Sequence, residues 1–231
     1  MRLKLIEKYY KLLNMLRSNP GKCIESEDVG LISIIKRYES YIVKELYSGR
    51  ERLCVKTLLP MALDLLKLGA DPQEVSKYLD WKDFEELVSI ILSGYGMDVI
   101  RNYRFNLKRY EIDVIGIDLT TKYALVIDCK HWRPGYRKKG KLVEAVKVHK
   151  LRVKYLSEFC SSIVSQYPSL SKVKYFIPVI VTLTDALKGV IDNVFIVPIR
   201  FLRDFINNIE YYVELLGSKS LVMNKCFIKT S

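Results

Sequence analysis

Apolar positions recur at two different periods along this chain, and the change of period divides it. Over residues 1 to about 70 the spacing is helical. Leu3, Ile6, Tyr10, Leu13 and Leu16 lie three or four apart until Asn19-Pro20-Gly21 ends the run. The same spacing predicts a second helix over Val29 to Tyr47, ending before Ser48-Gly49, and a third from about Glu51 to Leu68, kinked at Pro60. In Asp71-Pro72-Gln73-Glu74 an acceptor stands at the cap, proline at the first helical position and glutamate at the third, which starts a short helix to Leu79. Asp80 caps the next helix, Trp81 to Ser93, which ends near Gly94 or Gly96.

Beyond that helix the pattern turns to short apolar runs. Strands are predicted at Asp98–Arg104, Tyr110–Asp118 and Tyr123–Lys130, the last two joined by the hairpin link Leu119-Thr120-Thr121-Lys122. A long helix fits Lys141 to about Val164. Tyr175–Thr182 and Val194–Ile199 read as strands buried on both faces, and a closing helix runs from Leu202 to about Leu216. The order from residue 81, α-β-β-β-α-β-β-α, predicts an α/β fold with a mixed β-sheet flanked by helices. An N-terminal all-helical region of unassigned role over 1–70 and a second domain over 71–231 follow from the change of pattern.

Composition adds a core and a bias. Of 231 residues, 49% are hydrophobic, enough for a substantial interior. The net charge of +12 favours polyanion partners through counterion release, with no distinction between DNA and RNA; a basic surface kept for solubility is the plainer alternative. The first residues lack the apolar core of a secretory signal, and no apolar stretch approaches the ~20 residues that span a bilayer. The five cysteines, Cys23, Cys54, Cys129, Cys160 and Cys226, are scattered without a CxxC pair. They read as reduced intracellular thiols, neither a zinc site nor a disulfide framework, and so predict a cytoplasmic protein.

Candidate chemistry gathers where the strands end. Asp128-Cys129-Lys130 closes the run Ala124-Leu125-Val126-Ile127, and period-two alternation puts Asp128 and Lys130 on one face. Asp113 interrupts the apolar strand Glu111-Ile112-Asp113-Val114-Ile115; a carboxylate there needs a partner, a proton or a metal. On the preceding helix, Phe84, Leu87, Val88, Ile91, Leu92 and Tyr95 form the apolar stripe. Glu85 lies on its border and Glu86 faces water. Asp113, Asp128 and the backbone carbonyl of Cys129 are hard oxygen donors suited to Mg²⁺, with Mn²⁺ as a substitute, and Glu85 completes the shell directly or through water. Lys130 then stands where it orients a nucleophilic water or stabilises charge on a phosphate. Taken alone, an Asp-x-Lys tripeptide is more simply a structural ion pair at a strand end.

These segments, Phe84-Glu85-Glu86-Leu87-Val88, Gly94-Tyr95-Gly96-Met97-Asp98-Val99, Glu111-Ile112-Asp113-Val114-Ile115 and Ile127-Asp128-Cys129-Lys130-His131-Trp132, resemble in content and order the PD-(D/E)xK nuclease superfamily. Within it they resemble the Mrr-like restriction endonucleases; archaeal Holliday-junction resolvases share the same core. The resemblance covers roughly residues 81 to 132. It implies a restriction-endonuclease-like fold and a divalent-metal-dependent endonuclease whose active site comprises Glu85, Asp113, Asp128 and Lys130. Asp113 follows Ile112 where the family pattern has proline. Mrr-like chains often carry a glutamine on the helix after the lysine; here the nearest polar residue is His149, whose spacing from Leu142, Ala145, Val146 and Val153 also suits a core position.

Downstream of Lys130, basic and aromatic residues interleave in a loop that holds Trp132, Arg133, Tyr136, Arg137, Lys138, Lys139 and Lys141. The cations suit phosphate contacts and the two rings suit base stacking. Lys147, Lys150 and Lys154 share one face of the following helix and extend the positive track, or form an ordinary solvated face. Three functions remain open at this point. One is an Mrr-like DNA endonuclease of restriction or repair type. Another is a structure-selective nuclease such as a junction resolvase, acting as a homodimer. The third is a non-catalytic nucleic-acid-binding protein on a nuclease fold.

Overall fold

The structure, a computed structural model, describes residues 2–25, 29–105, 109–132, 138–185, 188–216 and 218–228. Its contacts divide the chain into two compact units, Met1–Asp83 and Phe84–Ser231, whereas the change of sequence pattern suggested a division at 70/71. The first unit contains α1 (Arg2–Ser18), β1 (Cys23–Glu25), α2 (Val29–Ile35), β2 (Ile42–Tyr47), β3 (Arg50–Val55), α3 (Leu59–Lys67) and α4 (Pro72–Ser76). The amphipathic α1 buries Tyr9, Leu12, Leu13 and Leu16. Pro60 sits in the first turn of α3, where its missing N–H is not needed; it starts the helix and does not kink it. Asp71 caps α4, accepting from the Gln73 and Glu74 amides at 2.8 and 3.1 Å.

Residues 42–55 correct the expectation of an all-helical region. They form a hairpin that belongs to a three-stranded antiparallel sheet in the order β1-β3-β2. The deciding residues are Ser48 and Gly49, both with positive φ (50° and 78°). That pair makes the two-residue turn whose twist matches antiparallel strands, and it aligns Tyr47 with Arg50. Across the hairpin, Lys44 meets Glu51 at 3.1 Å and the Arg52 guanidinium lies 4.0 Å from the Tyr47 ring centre. Such cross-strand pairs override the helical spacing of Ile42, Val43 and Leu46.

The division between units falls within α5 (Trp81–Gly94). After it come β4 (Asp98–Arg104), β5 (Glu111–Asp118), β6 (Tyr123–Lys130), α6 (Lys138–Glu158), α7 (Cys160–Gln166), β7 (Tyr175–Thr182), β8 (Gly189–Ile191), β9 (Val194–Pro198), α8 (Leu202–Asn207), α9 (Ile209–Leu216) and β10 (Val222–Met223). This unit is α/β: a seven-stranded mixed sheet flanked by helices, in the order β4-β5-β6-β7-β9-β8 with β10 paired to β7. The β4-β5-β6 meander is antiparallel, and β6-β7-β9 is parallel. The parallel strands are buried along almost their whole length, as their continuous apolar sequences require.

On α5, Phe84, Leu87, Val88, Ile91 and Leu92 are buried as their spacing predicts; Tyr95 is exposed. Gly116 leaves room for this helix, since a Cβ there would lie 3.0 Å from Leu92 Cδ1 and 3.1 Å from Met97 Sδ. From α6, Leu142 and Val146 pack with Ile180, Val194 and Ile196, while Val153 and Leu156 pack with Ile115, Ala124, Val126 and Phe176.

The cysteines also correct the sequence expectation. Cys23 bonds to Cys54 and Cys160 to Cys226, which leaves Cys129 as the free thiol. No spacing signal announces either pair, because tertiary pairing creates both. Register in β1–β3 sets Cys23 opposite Cys54. The segment after β10 is anchored by Asn224, whose amide donates to the Leu170 and Val173 carbonyls at 2.8 and 2.9 Å. Among the described residues no helix is long and apolar enough to cross a membrane.

Candidate active site

Alternation along β5 and β6 delivers the acids. The ladder pairs Val114 with Ile127 and Ile115 with Val126, so Asp113 and Asp128 follow as neighbours on one face at its end. Asp113 Oδ2 accepts the Cys129 amide at 2.6 Å, tying the two strand ends together. The Cys129 N–H therefore points towards β5, and in an extended strand its carbonyl points the same way. The Cys129 thiol is half-buried, and burial followed by the negative charge of Asp113 and Asp128 pushes it well above the ordinary thiol range.

Asp128 is 2% exposed and has two cationic neighbours. Lys130 Nζ lies 2.6 Å from Oδ2, close but off the hydrogen-bonding direction, which leaves that oxygen without an aligned donor. Arg152 of α6 donates from Nη1 to Oδ1 at 3.0 Å, while its buried Nε has no hydrogen-bond partner. Glu85 reaches the same neighbourhood from α5 and is buried. Burial, then repulsion from Asp113 and Glu111, pushes its carboxyl up to about 7, against a smaller opposite pull from Arg101. Asp113 is pushed up to about 6 by burial and by Asp128, opposed by the Cys129 amide, Lys130 and Arg152. Glu86 faces outward and pairs with Arg101 at 3.4 Å.

The three carboxyl groups thus repel one another through a mostly buried space, the condition a cation relieves. Their oxygens do not all lie within 4.8 Å of one another. A direct pair of Asp113 and Asp128 with the Cys129 carbonyl, and Glu85 joined through water, is the arrangement that fits a hard cation keeping several waters. Within that distance of one another, among the described residues, are ligand atoms of Cys23, Glu45 and Cys54; there the two sulfurs are bonded to each other.

A cavity of about 300 Å³ opens beside Asp128 and Lys130. Trp132 lines it, with the Lys130 ammonium 5.9 Å from its ring centre, and so do Lys141, Glu144 and Arg152 from α6. Lys147, Lys150 and Lys154 are not brought there. At about 100° per residue they fall roughly opposite the cavity side of α6, and Lys150 is engaged by Asp192 at 2.6 Å. Arg133, Tyr136 and Arg137 lie outside the described residues, as do the side chains of Lys138 and Lys139.

His149 is a core residue. It is 1% exposed, its Nε2–H meets the Val126 carbonyl at 2.9 Å, and burial lowers its pKa. The polar residue that α6 does send to Asp128 is Arg152, which sequence reasoning missed. The available signal was the row Lys141, Ala145, Val148 and Arg152, spaced three or four apart along one flank of the apolar stripe.

No family model matches this chain, and no curated protein does. Among solved structures it is similar to protein VC1899 from Vibrio cholerae, at 13% identity and a TM-score of 0.36, over 94% of this chain and 53% of that one. The chain spans about half the length of that protein.

Proposed function

We propose that the protein is a divalent-metal-dependent DNA endonuclease of the Mrr-like restriction or repair type. The observation that carries this proposal is the meeting of Asp113 and Asp128 at two adjacent strand ends, with Lys130 on the same face and Glu85 electrostatically coupled to both acids. Asp113, Asp128 and the Cys129 carbonyl would hold Mg²⁺ or Mn²⁺, with Glu85 completing the shell through water. When bound, the cation supplies charge neutralisation at the scissile phosphate and makes a nearby water more acidic. Lys130, held beside Asp128, orients the attacking water and stabilises the negative charge that grows on the phosphate oxygens. Trp132 and Lys141 line the adjoining cavity and position the nucleic-acid backbone there. The +12 net charge favours such a polyanion. A location where DNA and Mg²⁺ are available, the cytoplasm, belongs to the same proposal, and it requires that the Cys23–Cys54 and Cys160–Cys226 disulfides persist against a reducing thiol pool.

The test is incubation of the full chain with linear duplex, single-stranded and four-way-junction DNA, in Mg²⁺ or in chelator. The proposal expects Mg²⁺-dependent products from duplex DNA. Products from the junction alone would favour a homodimeric structure-selective nuclease. Binding to all three without products would support a nucleic-acid-binding protein that lacks turnover.

A further inference from the structure

Among the described residues, Arg152 is the cation in contact with Asp128 for which the proposed nuclease chemistry has no use. It is also placed where it conflicts with that chemistry. Asp128 has its Oδ1 on Arg152 Nη1 at 3.0 Å and its Oδ2 beside Lys130 Nζ at 2.6 Å. Both faces of the carboxylate that would bind a cation therefore already carry positive charge. A divalent ion and a guanidinium cannot share Oδ1 without strong repulsion. The side chain has somewhere to go: its Nε lacks a hydrogen-bond partner, and the residue borders the cavity of about 300 Å³ with Lys130, Trp132 and Lys141. A planar guanidinium with several donors suits a phosphate better than any other side chain.

We propose that Arg152 is a phosphate-binding residue that exchanges its contact with Asp128 for the backbone phosphate of the nucleic acid when a divalent cation binds Asp128. This deepens the nuclease assignment and rests on it. The docked arrangement neutralises Asp128 when no cation is bound. It also makes cation and nucleic acid bind cooperatively, because the ion releases the group that receives the phosphate.

Two measurements on the full chain test this. First, Mn²⁺ affinity is measured by loss of the free-ion paramagnetic resonance signal for wild type, Arg152→Gln and Arg152→Lys. Removing a charge-assisted hydrogen bond from Asp128 should tighten Mn²⁺ binding by roughly tenfold in Arg152→Gln, and Arg152→Lys should return it towards wild type. In Ca²⁺, the salt dependence of duplex binding should lose about one ion in Arg152→Gln. Second, wild-type protein is labelled with phenylglyoxal and the Arg152 peptide is quantified by mass spectrometry. Labelling should rise several-fold on adding Mg²⁺ and fall again on adding duplex DNA in Ca²⁺; this arm needs no variant to fold. Wild-type Mn²⁺ binding with no tightening in Arg152→Gln, or Arg152 labelling unchanged by Mg²⁺, overturns the role of Arg152 and leaves the nuclease assignment standing. No Mn²⁺ binding in wild type or in Arg152→Gln overturns both.

Discussion

Asp113→Asn separates a carboxylate kept for chemistry from one kept for structure. Asp113 is held at about 6 against an ordinary 3.8, so its ionisation opposes folding. Because the folded value is raised, the stabilising contribution is complete below about pH 3.8 and is lost as pH rises through about 6. A displacement of that size corresponds to roughly 3 kcal/mol at pH 8, and to well under 1 kcal/mol at pH 4. Asparagine keeps an acceptor for the Cys129 amide, now donating at 2.6 Å, and removes the charge. In chelator at pH 8 the variant should be more stable than wild type by about 1–3 kcal/mol, seen as a rise of about 3–10 °C in the melting temperature by differential scanning fluorimetry. The advantage should shrink by about 2 kcal/mol at pH 4. Adding Mg²⁺ at pH 8 should raise the wild-type midpoint and leave that of the variant nearly unchanged. A variant less stable at pH 8, by an amount independent of pH, would show that the carboxylate serves as a structural anchor for the strand ends.

Other outcomes follow from the same geometry. Lys130→Ala or Asp128→Ala should lower Mg²⁺-dependent cleavage by at least about 100-fold while duplex binding, read by fluorescence anisotropy, changes little; retained cleavage would remove these residues from the chemistry. Gly116→Ala should destabilise the protein by roughly 1–3 kcal/mol in urea titration, because its Cβ would press on Leu92 and Met97. Cys160→Ser opens a link between residues 66 positions apart and should lower stability by up to about 4 kcal/mol. Non-reducing peptide mapping should recover the Cys160–Cys226 and Cys23–Cys54 peptides joined, with Cys129 as the alkylated thiol.

Much of the second unit is legible in the sequence because each strand there carries its own signal. Tyr123–Lys130 and Tyr175–Thr182 are continuous apolar runs, and α5 shows its stripe with Glu85 on the border. Asp113 and Asp128 stand out because each breaks an apolar run, which is the mark of an expensive side chain in a buried place. The first unit is less legible. Ile42–Val55 carries apolar residues at helical spacing, and only the Ser48-Gly49 turn, with both residues at positive φ, marks a hairpin. The cysteine pairs depend on strand register and on the docking of the C-terminal segment, neither of which a spacing rule contains. Arg152 is hidden differently: the apolar stripe of α6 leads to His149, whereas the side chain that meets Asp128 lies about 60° round the helix from it.

The central claim is that Asp113, Asp128 and Glu85 converge on one divalent cation. Anomalous diffraction from Mn²⁺-soaked crystals tests it most directly. A single Mn²⁺ peak between the Asp113 and Asp128 carboxylates, with Arg152 displaced from Oδ1, is the predicted result. Saturating Mn²⁺ with no peak there, and the Asp128 contacts to Arg152 and Lys130 unchanged, would contradict it.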